Sequence, residues 1–195
     1  VFLTDVDGKQ YMDFLAAYSA VNQGHNHPRI GAAMIAQIKT LALTSRAFRN
    51  DQFPPLLEKL CKLTGFDKAL LMNSGAEAVE TALKAMRKWG YDKKGIEYGK
   101  AEIIVADGNF HGRTISIVGF STDHDSTSRF GPFTPGFVIV PYGDIEAVKQ
   151  AITPNTCAIF REPIQGEGGG VMRPAGSLTG PGSSTKLKSR TRQQG

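Results

Sequence analysis

Long apolar runs are missing. No stretch of the 195 residues approaches the ~18 consecutive apolar positions that a helix needs to cross a bilayer, so a membrane span of that kind is excluded. Cysteine is scarce. Cys61 and Cys157 are the only two, both in apolar surroundings and at no metal-ligand spacing. They read as reduced core thiols of an intracellular protein, with neither a disulfide framework nor a metal site. No internal repeat is present, and no signal or transit segment is visible at Val1, which is not an initiator methionine. Acidic residues run out after Glu167, while Arg173, Lys186, Lys188, Arg190 and Arg192 follow. Those five account for the whole net charge of +5, because the body holds 18 basic residues against 18 acidic. The basic surplus therefore belongs to the tail, which argues against a nucleic-acid-binding domain despite a pI near 9.3.

What is present is a chain with 41% hydrophobic residues, enough for one medium domain with a core. Phe2 to Thr4 and Lys9 to Phe14 flank Asp7-Gly8, a hairpin signal. His25 and His27 lie in a turn before Pro28, with no third metal ligand near them in sequence. Turn and cap hydrogen bonds are the expected use. Pro28 opens a helix to about Thr40, and Pro54-Pro55 opens another to about Thr64, closed by Gly65. Trp89 to Gly99 reads as a solvated connector. Short apolar runs at 103–106, 138–140 and 157–160 read as strands, with a helix at 145–152 and a loop at 123–135. Strands alternating with helices imply an α/β unit with a mostly parallel sheet, whose ligands collect at the carboxyl ends of strands.

The most informative stretch is Leu70 to Glu80. An apolar run, Ala69 to Met72, reads as a strand that stops at Asn73. Ser74 follows as an N-cap with Glu77 three residues on, a capping box. Val79, Ala82, Leu83 and Met86 then recur at helical spacing. A strand, a glycine turn and a helix start aim backbone N–H groups and a positive dipole end at one point, where a phosphate can bind. On this stretch alone, an ordinary capped helix is an equally good reading. Two further polar clusters, Phe110 to Arg113 and Glu162 to Glu167, also follow apolar strands.

With these three motifs in order, the chain resembles the class III aminotransferases, pyridoxal-phosphate enzymes of the fold-type-I group. Tyr18 to His25, Leu43 to Phe48 and Arg87 to Tyr91 resemble the ornithine-specific branch of that class. Acetylornithine and 4-aminobutyrate transaminases share the Gly75 and Arg113 motifs but usually differ in these three. The resemblance extends from Val1 to about Pro174. It implies a partial fold-type-I large domain over 31–173, preceded by a hairpin segment over 1–30. It implies pyridoxal 5'-phosphate as cofactor, held by Ser74, Gly75 and Ala76 at its phosphate, by Phe110 stacked on its ring and by a network containing Glu162. It implies ornithine and 2-oxoglutarate as substrates, with Arg113 gripping a carboxylate, Tyr18 meeting the donor side chain and Glu167 pairing with an arginine that gates substrate choice. A homodimer in the cytoplasm or the mitochondrial matrix, without nucleic-acid or membrane partners, is implied as well.

Three departures stand beside it. Arg161 occupies a place where the family usually has an apolar strand residue, a costly charge unless it is paired or at the sheet rim. Glu167-Gly168-Gly169-Gly170 replaces the usual Gly-Glu-Ala-Gly continuation. From Pro174 onward the composition is low-complexity and basic, with Leu187 as the one aliphatic of the final basic stretch, and 174–195 is expected to be disordered. The lysine to which the family attaches its cofactor, and the aspartate that pairs with the pyridine nitrogen, have no counterpart in the sequence. The expectation is thus an aminotransferase chain that is inactive alone, or a non-catalytic interaction fragment built on the same fold.

Overall fold

The computed structural model describes residues 1–45 and 47–172. The expected disorder of 174–195 lies outside the described residues. The chain divides into two compact units after Lys68.

In the first unit, strands β1 (Phe2–Thr4) and β2 (Gln10–Met12) pair antiparallel, with Leu3 opposite Tyr11. The hairpin turn is tied by the Asp5 carboxylate, which accepts from the backbone N–H of Asp7 at 3.0 Å and of Lys9 at 2.9 Å, and from the Tyr11 hydroxyl at 3.0 Å. Helix α1 (Pro28–Thr40) starts at Pro28 as expected. Helix α2 (Phe53–Thr64) ends where Gly65 turns to φ +73° and donates its N–H to the Cys61 carbonyl at 2.8 Å, a left-handed cap that suits glycine. His25 Nε2 lies 2.7 Å from Asp13 Oδ2, a side-chain pair across 12 residues rather than a turn bond, and His27 stands at the N-cap of α1 without a side-chain cap bond, so the expected turn and cap uses are not the ones made.

In the second unit, helix α3 (Gly75–Asp92) precedes strand β3 (Glu102–Ala106). Short helices α4 (Ile115–Val118) and α5 (His124–Thr127) lead to β4 (Phe137–Val140), helix α6 (Ile145–Ala151) and β5 (Thr156–Phe160). A two-residue hairpin, β6 (Ile164–Gln165) with β7 (Val171–Met172), follows. The main sheet is parallel in the order β4-β3-β5, so the expected α/β architecture holds. Side chains of β3 alternate between its faces. Ile103 and Val105 join Leu83, Ile117, Phe120 and Cys157 in one core, with α3 packed on β5. Ile104, Val140, Val148 and Ile159 meet on the other face, where α6 packs on β4.

Three expectations about elements need correction. Ala69 to Met72 is not a strand. Leu70 and Leu71 are 64% and 41% exposed, and among the described residues no strand offers this run the hydrogen bonds that a ladder requires. Trp89 to Gly99 is not wholly a connector, because α3 continues to Asp92. Its last turns bury Gly90 and pack Tyr91 against the core, a contact hidden in sequence by the glycine and the flanking charges. The loop at 123–135 holds α5, capped by the Asp123 carboxylate. The polar cluster Glu162 to Glu167 contains β6. Arg161 is half-buried just beyond the last residue of β5, at the rim of the sheet.

Candidate functional site

The start of α3 is built as the sequence implied. Ser74 is extended at φ −144°, ψ 165°, and its hydroxyl accepts from the Glu77 N–H at 3.2 Å. Glu77 reaches back, accepting from the Asn73 N–H at 2.7 Å. The Ser74 half of the capping box is formed, while the return bond from Glu77 goes to the residue before the cap rather than to the Ser74 N–H. Gly75 is the first helical residue, and a Cβ there would meet nothing within 4 Å, so a ligand can approach the backbone closely.

The loop after β3 comes to this helix start. Gly112 has φ +127°, and a Cβ on it would lie 3.2 Å from the Ala76 Cβ and 3.1 Å from Ile117 Cδ1. A side chain is thus excluded twice, by conformation and by space. The turn into the loop is held by the buried Asn109, whose Nδ2 donates to the carbonyls of Ala106 at 2.6 Å and Phe120 at 3.0 Å. Phe110 remains 37% exposed, and the Arg113 guanidinium sits 5.1 Å from its ring centroid.

The segment after β5 holds the same loop from the other side. Glu162 Oε2 accepts from the Phe110 N–H at 3.2 Å. Partial burial pushes the Glu162 carboxyl above its usual range, the Phe110 N–H pulls it back, and the negative charge of Glu167 pushes it up again. Gln165, 4% exposed, donates from Nε2 to the Asp107 carbonyl at 2.6 Å. Ala76, Phe110, Arg113 and Glu162 thus converge with the Ser74-Gly75 turn at the carboxyl edge of the sheet. Glu167 is exposed and reaches the group only through its charge on Glu162. Tyr18 belongs to the first unit, where it is 77% exposed with φ +56° in a left-handed run from Ala16 to Ser19.

Sequence reasoning passed over four residues here. His111 tilts against Phe160 at 4.4 Å and Phe120 at 5.8 Å between ring centroids. Its Nε2 is buried without a partner, and burial lowers its pKa to about 4, so the ring is neutral at pH 7. Glu80, Thr114 and Gln165 tie the loop to α3 and to β6. The one available signal was Thr114 standing before Ile-Ser-Ile-Val, a helix-start pattern.

Comparison with known proteins shows the family of the chain. Residues 1–187 match the family described as Aminotransferase class-III, well over half of the chain and past Pro174. The chain belongs to this family. An ornithine aminotransferase of Bordetella pertussis is 61% identical over 176 residues, covering 90% of the chain and 43% of that protein. One from a Geobacillus strain is 57% identical, covering 91% and 45%. The crystal structure of the ornithine aminotransferase from Toxoplasma gondii ME49 superposes with a TM-score of 0.89 at 46% identity, covering 91% of the chain and 42% of that protein. The chain thus spans less than half the length of these relatives. An amine transaminase from an uncultivated Pseudomonas species, solved with pyridoxal phosphate bound, shares the fold at TM-score 0.79 and 22% identity. The fold is that of the fold-type-I, pyridoxal-phosphate-dependent aminotransferases. Among the described residues, the site fits that cofactor in part. A capped helix start with open space beside Gly75 suits its phosphate, and a partly exposed aromatic at a strand end suits its ring.

Proposed function

We propose that the chain forms the phosphate, ring and carboxylate contacts of a transaminase that moves the terminal amino group of ornithine to 2-oxoglutarate. The observation that carries this reading is the meeting of the Ser74-Gly75-Ala76 helix start with the Phe110–Arg113 loop at the sheet's carboxyl edge. The ornithine aminotransferases among the relatives support the substrate assignment.

The N–H groups of Gly75 and Ala76, with the positive end of α3, hold the cofactor phosphate, while Ser74 and Glu77 keep that helix end in shape. Phe110 lies on the pyridine ring, its backbone fixed by Glu162. The planar fork of Arg113 takes a substrate carboxylate by two parallel hydrogen bonds. Tyr18 meets the donor side chain, and Glu167 sets which substrate fits. The cofactor, when bound, supplies the electron sink that the reaction needs. A lysine must also hold and move the proton. Among the described residues, Lys88 pairs with Asp92 at 2.8 Å and Lys94 donates to the Thr156 carbonyl at 2.6 Å, both engaged away from the Ser74-Gly75 turn. In this reading the 195-residue chain alone is inactive, and the working enzyme is a homodimer. The two free thiols support a reducing compartment, the cytoplasm or the mitochondrial matrix.

Titration of the isotope-labelled chain with pyridoxal 5'-phosphate tests the site. Amide shifts should concentrate at Gly75, Ala76 and Phe110. Shifts confined elsewhere, or no binding, would remove the assignment. Joining residues 1–172 to the remaining part of the Bordetella pertussis relative should yield an ornithine-dependent transaminase, and replacing Tyr18 in it should change the choice among amino donors.

A further inference from the structure

We infer that Glu80 is a positioning residue for Arg113, acting through the hydroxyl of Thr114; the inference rests on the transaminase reading of Arg113. Thr114 is the N-cap of α4, extended at φ −72°, ψ 160°. A threonine in that place ordinarily turns its hydroxyl onto an N–H of the first helical turn. Thr114 makes no such bond. Its hydroxyl instead donates to a carboxylate oxygen of Glu80, 34 residues earlier in the chain. Its carbonyl still accepts from the Val118 N–H at 2.9 Å, so the helix start is formed and only the hydroxyl is diverted. Both residues are half-buried, where a carboxylate without a partner is unfavourable.

The position of this bond gives it meaning. Glu80 lies in the second turn of α3, the helix that begins at Gly75 and Ala76. Thr114 directly follows Arg113. The bond therefore fixes the backbone that carries the guanidinium to the helix whose first residues face the cofactor phosphate. On the other side of Arg113, Gly112 rests against Ala76, and further back Phe110 is held by Glu162. Arg113 itself is exposed and has a long stem, so its reach depends on where its backbone is held. Of the ties flanking it, the one from Thr114 to Glu80 can be removed without changing side-chain shape.

The test uses the fusion of residues 1–172 to the remainder of the Bordetella pertussis relative, with ornithine and 1,4-diaminobutane as donors. The diamine is the same amine without the carboxylate. Thr114→Val and Glu80→Ala should each raise KM for ornithine about 5- to 30-fold, as a small misplacement of a binding group does. The diamine reaction and the affinity for pyridoxal 5'-phosphate should stay within about twofold, Thr114→Ser should restore the parent values, and the double variant should be no worse than either single one. Equal losses with both donors, or a lost cofactor affinity, would show that the pair only supports the fold and would overturn the inference. A parent fusion that transaminates neither donor would remove the transaminase reading, and the role of Glu80 with it. Hydrogen exchange on the 195-residue chain reads the same tie without turnover. Both variants should speed exchange at 113–117 and leave Ile103 to Val105 unchanged, and unaltered exchange at 113–117 would also overturn the inference.

Discussion

Replacing Gly90 by alanine should destabilise the second unit, against the usual preference of helices. Gly90 lies within α3, where alanine ordinarily gains about 0.8–1.0 kcal/mol over glycine. A Cβ at this position, however, would stand 2.8 Å from the Cys157 Cβ, 3.2 Å from Ile96 Cδ1 and 3.8 Å from the Ala101 Cβ. Carbon atoms pack best at roughly 3.5–4.0 Å. The Ile96 tip can turn aside, but the Cys157 Cβ is attached to the backbone of β5 and cannot, so helix or strand must move. Overpacking of this kind costs about 1–3 kcal/mol. The net expectation is a loss of about 1–2 kcal/mol, since the rigid contact places the cost in the upper part of that range. Urea denaturation of the 195-residue chain measures it. With a slope of ~2 kcal/mol/M the midpoint should fall by roughly 0.5–1 M. Cys157→Ala should not rescue Gly90→Ala, because it keeps the offending carbon, whereas Cys157→Gly should recover part of the loss. Gly75→Ala, with nothing within 4 Å of the new carbon, serves as the near-neutral control. A Gly90→Ala protein as stable as that control would refute the packing argument.

Other outcomes follow from the site. Arg113→Lys in the fusion enzyme should raise KM for ornithine and 2-oxoglutarate far more than it alters cofactor affinity, because an ammonium lacks the second parallel hydrogen bond; unchanged kinetics would take Arg113 out of the substrate site. His111 has a folded pKa near 4 against an ordinary 6.5, so the unfolded chain binds the extra proton between those values. Its contribution to stability should therefore be complete above pH 6.5 and fade as the pH falls towards 4, and urea midpoints of His111→Phe should be flatter than the parent's across that window. Burial raises the Cys157 thiol pKa, whereas Cys61 is only half-buried. Iodoacetamide should label Cys61 first, as mass spectrometry of the native chain would show.

Much of the fold was legible because local chemistry agreed with tertiary structure. The Asp7-Gly8 turn, Pro28, Gly65 and the Ser74-Glu77 box each mark an element boundary that the structure keeps. The errors have a common cause. Ala69 to Met72 has the composition of a strand, but a strand exists only where a neighbour completes its hydrogen bonds, and sequence does not name the neighbour. Trp89 to Gly99 reads as a connector because Gly90's use, letting α3 approach Cys157, is a contact 67 residues away in sequence. The site shows the same division. Gly75, Phe110, Arg113 and Glu162 announce themselves by type and by position near glycines and strand ends. Glu80 and Gln165 look like ordinary polar residues until the partner is known, because a tie between distant segments leaves no local pattern.

The close approach of Gly112 to Ala76 has a consequence for how this sequence can vary. The two positions act as one allowance of volume, since whatever is added at one must be removed at the other. The trade is not symmetrical. Ala76→Gly would free space beside residue 112, yet alanine there would still be forced to φ +127°, a conformation that L side chains rarely adopt. A larger residue at 76 would press on the Gly112 backbone, which has no smaller side chain to offer in return. Substitutions should therefore be confined at 112 whatever stands at 76, while 76 should vary only downward in size. A library randomised at both positions should return survivors that keep Gly112 and carry alanine or glycine at 76.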